Sequence, residues 1–213
     1  MTAAGSTVDS VAPTLGRPRD PEVDRAIAQA ALAVLADSGF EGVTVEAVAQ
    51  RAGVARSTVY RRFPGTPELL ESVLHHACRA PVVDADTGSV VEDLLAVVEG
   101  LDRSFESTDL GRAMPAVVAA AARLPEIAEA HGTFVASRRA VAVAAVQRGI
   151  DRGELDPAIE PDTLVDMVVG PVFHRHLVSR RPVTAPWLRE LVVRSVRGCS
   201  PAPGAAEGAA GGE

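Results

Sequence analysis

Between Thr44 and Phe63 the chain reads TVEAVAQRAGVARSTVYRRF, and this stretch constrains the fold more than any other. Two short apolar patterns at helical spacing meet there at Gly53, the arrangement of a helix-turn-helix unit. Thr44 caps the first helix, whose buried stripe is Val45, Val48, Ala49 and Ala52, and Val43 staples onto Val48 across the cap. On the second helix, about Arg56 to Arg62, the residues Ala55, Val59 and Phe63 recur at i, i+4, i+8 and must face a core. Arg56 and Tyr60 are then left on one exposed ridge, with Ser57 and Arg61 on the next.

Such a face carries the groups that read guanine edges and phosphates in a major groove. From Arg51 to Phe63 there are four Arg and no acid, a local charge of +4. The whole chain is acidic, with a net charge of -7, which by itself argues against nucleic acid. The distribution of that charge argues the other way. Residues 1–63 hold seven Arg and seven acids, so the remainder carries all of the -7. Screening over about 8 to 10 Å at physiological salt leaves distant acids little influence on the basic run. Upstream, Gly16-Arg17-Pro18-Arg19 is a short basic arm of the kind that enters an adjacent minor groove. Surface arginines alone would mark only a solvated face or a non-specific patch. The turn, the inward Val59 and Phe63, and the arm together favour specific reading of DNA.

The rest of the chain reads as helices too. Hydrophobic residues make up 47% of the sequence and aromatics 3%, so the core is aliphatic and an all-α fold is expected. Asp20-Pro21-Glu22 starts a helix that buries Val23, Ile27, Ala30, Ala31, Val34 and Leu35 and stops at Gly39. Thr66-Pro67-Glu68 opens another, burying Leu69, Leu70, Val73, Leu74 and Ala77. A capping box of Ser89 and Glu92 is expected to open the second half, with Val91, Leu94, Leu95, Val98 and Phe105 at helical spacing. Further helices are expected over 110–122, 125–152, 161–179 and 186–198, with Pro115 and Pro171 kinking or breaking two of them. The expected organisation is a basic-ended arm (1–19), a helix-turn-helix domain (20–66), a helical effector-binding and dimerisation domain (67–199) and a low-complexity tail (200–213). Two cysteines, Cys78 and Cys199, make no disulfide framework. With no leader-like segment and no apolar run of about 18 to 20 residues, a cytoplasmic protein with no membrane partner is expected.

Over residues 16–75 the sequence resembles the TetR/AcrR family of transcriptional regulators, through the GRPR arm and GFEGVTVEAVAQRAGVARSTVYRRFPGTPELLESVL. Beyond Ala80 the likeness is architectural only. The resemblance implies an all-helical homodimer that binds a palindromic operator in double-stranded DNA and takes a small-molecule effector in its C-terminal half. By position it implies that Arg56, Ser57, Thr58 and Arg61 approach bases or neighbouring phosphates, while Tyr60 and Thr44 hold the backbone. Arg62 and the arm residues Arg17 and Arg19 complete the expected DNA-binding set. Two positions depart from the family's pattern. Thr66 stands where a basic residue is frequent, and Ala55 stands where a Ser cap is frequent.

Magnitudes favour a dimer. Two or three base contacts at ~1 to 3 kcal/mol each barely reach the ~4 to 10 kcal/mol that separates specific from non-specific binding, and two modules reach it comfortably. Surplus apolar residues in the last two long helices, about 161–198, place the dimer contact there. The bulky side chains of the second half, Phe105, Met114, Phe134, Met167, Phe173 and Trp187, together with His174, are the candidate effector pocket, although core packing explains each of the apolar ones as well. An apolar or amphipathic effector is expected. His75, His76 and Cys78 lack a fourth ligand, and His174 and His176 point different ways, so no metal site is expected. Nothing positions a nucleophile beside a base, and no cofactor motif is present, which argues against an enzyme. A DNA-binding regulator without a small-molecule ligand, or a helical adaptor that has lost DNA binding, are the rival readings.

Overall fold

The structure is a computed structural model that describes residues 21–78 and 84–201, apart from the side chains of 76–78. Every regular element in it is helical, in the order α1 (Pro21–Gly42), α2 (Val45–Ala52), α3 (Arg56–Arg62), α4 (Thr66–Cys78), α5 (Val90–Ser107), α6 (Asp109–Ala121), α7 (Pro125–Asp151), α8 (Pro161–Phe173), a π-helical turn (His174–Ser179) and α9 (Ala185–Gly198). The α1 helix breaks where the sequence indicates, at Gly39, with φ 68° and ψ -174°. The arm (1–19), the expected helix start at Asp20, the tail from 202 onward, and the side chains of His76, Ala77 and Cys78 lie outside the described residues.

The described residues pack around two aliphatic cores. The first gathers Ile27, Ala31 and Leu35 of α1, Val48 of α2, Val59 of α3 and Leu69, Leu70 and Leu74 of α4. It then continues into α6 through Ala113, Met114 and Val117, and into the first half of α7 through Ile127, Ala130 and Phe134. The second core joins α5, the second half of α7, α8 and α9 through residues such as Leu94, Val98, Val146, Leu164, Val168, Leu188 and Val192. At 27 residues, α7 is about 40 Å long and belongs to both. The first core therefore crosses the boundary expected near residue 66.

Several expected local features take another form. Pro115 does not interrupt α6. Pro171 sits within α8, and the disturbance appears three residues later as the π-helical turn, closed by Arg180 in the left-handed region at φ 53°. The Ser89–Glu92 capping box does not form: Ser89 makes no side-chain cap bond. Instead the Glu154 carboxylate accepts from the Val90 amide at 2.9 Å, and Glu92 reaches Arg189 of α9 at 2.9 Å. Asp93, buried one turn in, accepts from both the amide and the hydroxyl of Thr87, at 2.8 and 2.7 Å. Burial alone would raise the Asp93 carboxyl. The Thr87 hydrogen bonds and the charges of Arg148 and Arg152 outweigh that effect and hold it below the usual carboxylate range.

A close approach fixes the α5–α6 corner. A Cβ added to Gly111 would lie 2.1 Å from the Ser104 carbonyl oxygen and 2.4 Å from the Phe105 Cα, so only glycine lets α6 cross there.

Candidate nucleic-acid interface and effector region

The α2–α3 unit is shaped by backbone bonds and a few side chains. Thr44 caps α2, its hydroxyl accepting from the Ala47 amide at 3.2 Å. Gly53, at φ 67° and ψ 29°, ends α2 in the left-handed conformation that a Cβ would strain. Val54 then donates to the Ala49 carbonyl at 3.0 Å, closing the turn. Ala55 supplies no side-chain cap to α3, and only its carbonyl serves, accepting from Thr58 at 2.8 Å. The missing cap costs about 0.5 to 2 kcal/mol relative to Ser. Thr66 has a structural task of its own: its hydroxyl donates to the Val43 carbonyl at 3.0 Å, tying the start of α4 to the entry of α2.

These constraints turn two of the three expected core residues of α3 inward; Ala55, expected beside them, is exposed because it sits at the N-cap, before the helix begins. Val59 and Phe63 are buried, while Arg56, Ser57, Tyr60 and Arg61 are exposed, Tyr60 at 53%. Thr58 is half-buried and Thr44 exposed. Arg62 departs from the expected DNA-facing set. Its side chain is only 10% exposed and its Nε bonds Asp24 of α1, because position 62 follows Val59 by three residues and turns toward the core. Arg62 therefore braces α3 against α1 instead of joining the DNA face.

The local +4 is also redistributed by ion pairs. Arg51 bonds Asp37 of α1 at 2.9 Å, and Arg56 lies 3.4 Å from Glu46 of α2. Arg61 alone of the four makes no ion pair among the described residues. Asp37 also lies 3.9 Å from Arg112 of α6, so one carboxylate touches α2 and α6 together. The Asp109 hydrogen bond and charge, with Asp37, raise the Arg112 guanidinium above its ordinary value.

In the C-terminal half four of the candidate pocket residues, Phe105, Met114, Phe134 and Phe173, belong to or pack against the first core, and the others lie apart from it. Met114 and Phe134 are buried in the first core, Met167 is 42% exposed on α8, and His174 is exposed at the start of the π-helical turn. Trp187 carries the Arg175 guanidinium over its ring at 3.7 Å. Phe105 and Phe173 do meet, edge to face at 5.2 Å. His176, not His174, completes that cluster: its ring stacks on Phe105 at 4.4 Å and its Nε2 lies 2.8 Å from Asp102. His176 stands three residues after Phe173, a spacing that puts both on one face and was the signal for it. A separate open groove of about 700 Å³ runs between α5 and α9, lined by Thr87, Glu92, Leu95, Glu99, Pro186 and Arg189 among others, and none of the candidate pocket residues borders it. Among the described residues no helix is long and apolar enough to cross a membrane.

A pair of short helices joined at Gly53, the first capped by Thr44, with an outward polar face and braced on a helical bundle, has the form of a helix-turn-helix DNA-binding unit. Residues 27–73 match the model of the bacterial regulatory proteins of the tetR family, and residues 84–194 match the tetracyclin repressor-like C-terminal domain. The uncharacterized HTH-type transcriptional regulator YdeS of Bacillus subtilis (strain 168) is 33% identical over 186 residues, which cover 86% of this chain and 92% of that one. HTH-type transcriptional regulator AqdR of Rhodococcus erythropolis is 31% identical over 163 residues, covering 75% and 78% respectively. The crystal structure of TetR family transcription regulator SCO0332 superposes with a TM-score of 0.63 at 29% identity, over 84% of this chain and 100% of that chain. The chain belongs to the TetR family of transcriptional regulators, whose members are not enzymes.

Proposed function

We propose that this regulator is a repressor that occupies a palindromic operator as a homodimer and leaves it when a small-molecule effector binds its C-terminal half. One observation carries the reading: α3 buries Val59 and Phe63 and turns Arg56, Ser57, Tyr60 and Arg61 outward together. In this reading Arg56 and Arg61 read base edges or phosphates, Ser57 and Thr58 support them, and Thr44 and Tyr60 hold the backbone. Arg17 and Arg19 reach the minor groove. The two recognition helices sit ~34 to 36 Å apart on DNA, and effector binding favours a spacing that no longer matches one turn.

The effector, apolar or amphipathic, enters between α5 and the α8 end, where Phe105 and Phe173 offer ring surface and the Asp102–His176 pair offers polar anchorage. Dimerisation uses α8 and α9, whose outer faces carry the exposed Met167, Glu190 and Arg194. The protein acts in the cytoplasm. A regulator without a small-molecule ligand is the second reading, favoured by the core packing of Phe105, Met114, Phe134 and Phe173 and by a groove on the outside of the bundle.

Selection of genomic DNA fragments on the full chain, followed by sequencing, tests the proposal. Recovery of a palindrome with half-sites one helical turn apart is the expected result. Recovery of only unrelated fragments, or sedimentation as a monomer at micromolar concentration, would overturn it.

A further inference from the structure

From the pairing of the arginines we infer that Glu46 is a specificity-determining residue, which holds Arg56 on the base-reading face and away from the phosphates. The inference rests on the DNA-reading proposal above and adds a residue to it. Glu46 stands in the first turn of α2 and Arg56 opens α3, so their 3.4 Å contact spans the two helices of the reading unit. Both side chains are open to solvent, at 48% and 68%, on the surface that α3 presents. A guanidinium has five donors in a fixed fork. Only Nη1 of Arg56 approaches the Glu46 carboxylate, so its other donors stay free for the O6 and N7 acceptors of a guanine.

Charge gives the pair its effect on specificity. Free arginines are drawn to phosphates, a contact that carries no sequence information. Of the four arginines between 51 and 62, Arg51 and Arg62 are tied back to α1. Arg56 is the base-reading candidate whose counter-charge lies on the reading unit itself. Glu46 repels phosphates and narrows the positions open to the Arg56 side chain, so less ordering remains to be done on binding.

The test compares the wild-type chain with Glu46→Gln, Arg56→Ala and the double variant. Each is titrated against the operator recovered by genomic selection, against that operator with single base-pair changes, and against random duplex, over a series of salt concentrations. Gln keeps the size and polarity of the exposed position, and the thermal transition of each variant confirms folding. Glu46→Gln is expected to bind random duplex about three- to tenfold more tightly at low salt and to steepen the salt dependence by about 0.9 for each further phosphate that is neutralised. It is also expected to lose about three- to tenfold of discrimination at the base pair read by Arg56. That loss vanishes in the Arg56→Ala background. Unchanged salt dependence and discrimination in Glu46→Gln would overturn the inference while leaving the DNA-reading proposal standing. So would a loss of discrimination that persists without Arg56. Failure of the wild type to select any operator would overturn the proposal, and this inference with it.

Discussion

The DNA face and the effector region are assembled on different scales. Thr44, Arg56, Ser57, Tyr60 and Arg61 lie within eighteen consecutive residues and are oriented by two helices and one turn. The Phe105–Phe173–His176 cluster joins helices far apart in sequence, and its hydrogen bond spans 74 positions. A face built locally keeps its geometry as long as its own turn is intact. One built from distant helices depends on every contact that sets their spacing, which suits a site that must change shape.

Variants separate the two regions. The largest effect is expected from Arg56→Ala with Arg61→Ala, which removes about 2 to 6 kcal/mol of operator binding per half-site in a titration with fluorescent duplex. Its thermal transition should stay near that of the wild type, because both side chains project into solvent. Next comes Gly111→Ala. The added carbon would overlap the Ser104 carbonyl, so the α5–α6 corner must open, at a cost of about 3 kcal/mol in denaturant unfolding. Because α6 belongs to the first core, operator binding should weaken too, although no DNA-facing residue has changed. Asp102→Asn is expected to cost about 1 kcal/mol of stability and to leave operator affinity unaltered. A loss of DNA binding in Asp102→Asn would break the separation between the regions.

Acid should separate the regions as well. Burial lowers His131, on α7 between Ala130 and Phe134, below its ordinary value of 6.5. The unfolded chain then takes up that proton more readily than the folded one, so stability falls as pH drops below about 6.5. Asp93 lies below its ordinary 3.8, so its contribution is present above that value and is lost only as pH falls through the lower folded one. Hydrogen exchange across this range should therefore show the first core loosening before the α5 N-terminus, and His131→Gln should remove the earlier phase. The smallest effect belongs to the exposed Asp37 bridge. Arg112→Ala should raise amide exchange in α2 by less than about fivefold, and the effect should disappear in Asp37→Asn.

What could be read in the sequence follows the same division of scale. Helical spacing located the outward face of α3, and Gly39 and Gly53 marked true helix ends, because each depends on residues a turn apart. The same rule would have placed Arg62 correctly. Counting three residues from Val59 turns it inward, but its charge drew it into the basic face. The local +4 was a property of thirteen consecutive residues. Its partners Asp24, Asp37 and Glu46 came from α1 and α2, so the neutralisation became visible only once those helices had packed together. Bulky side chains marked the C-terminal half without distinguishing core from pocket: Met114 and Phe134 fill the first core, while Phe105 packs against that core and also meets His176 across α5 and the π-helical turn.

The first core has a consequence for exchanging parts between relatives. The segment matching the N-terminal family model ends at residue 73, yet the apolar surface beneath it is completed by buried side chains as late as Phe134, with Phe173 packed against them. A chimera joined just after α4 would set one regulator's reading helices on another's α6 and α7, with α1 and α4 packed on surfaces never matched to them. A cut within α7, past Phe134, keeps its buried part together and leaves Phe173 of α8 as the late contact still to be matched. A grafted reading head from this protein travels with α6 or arrives loose.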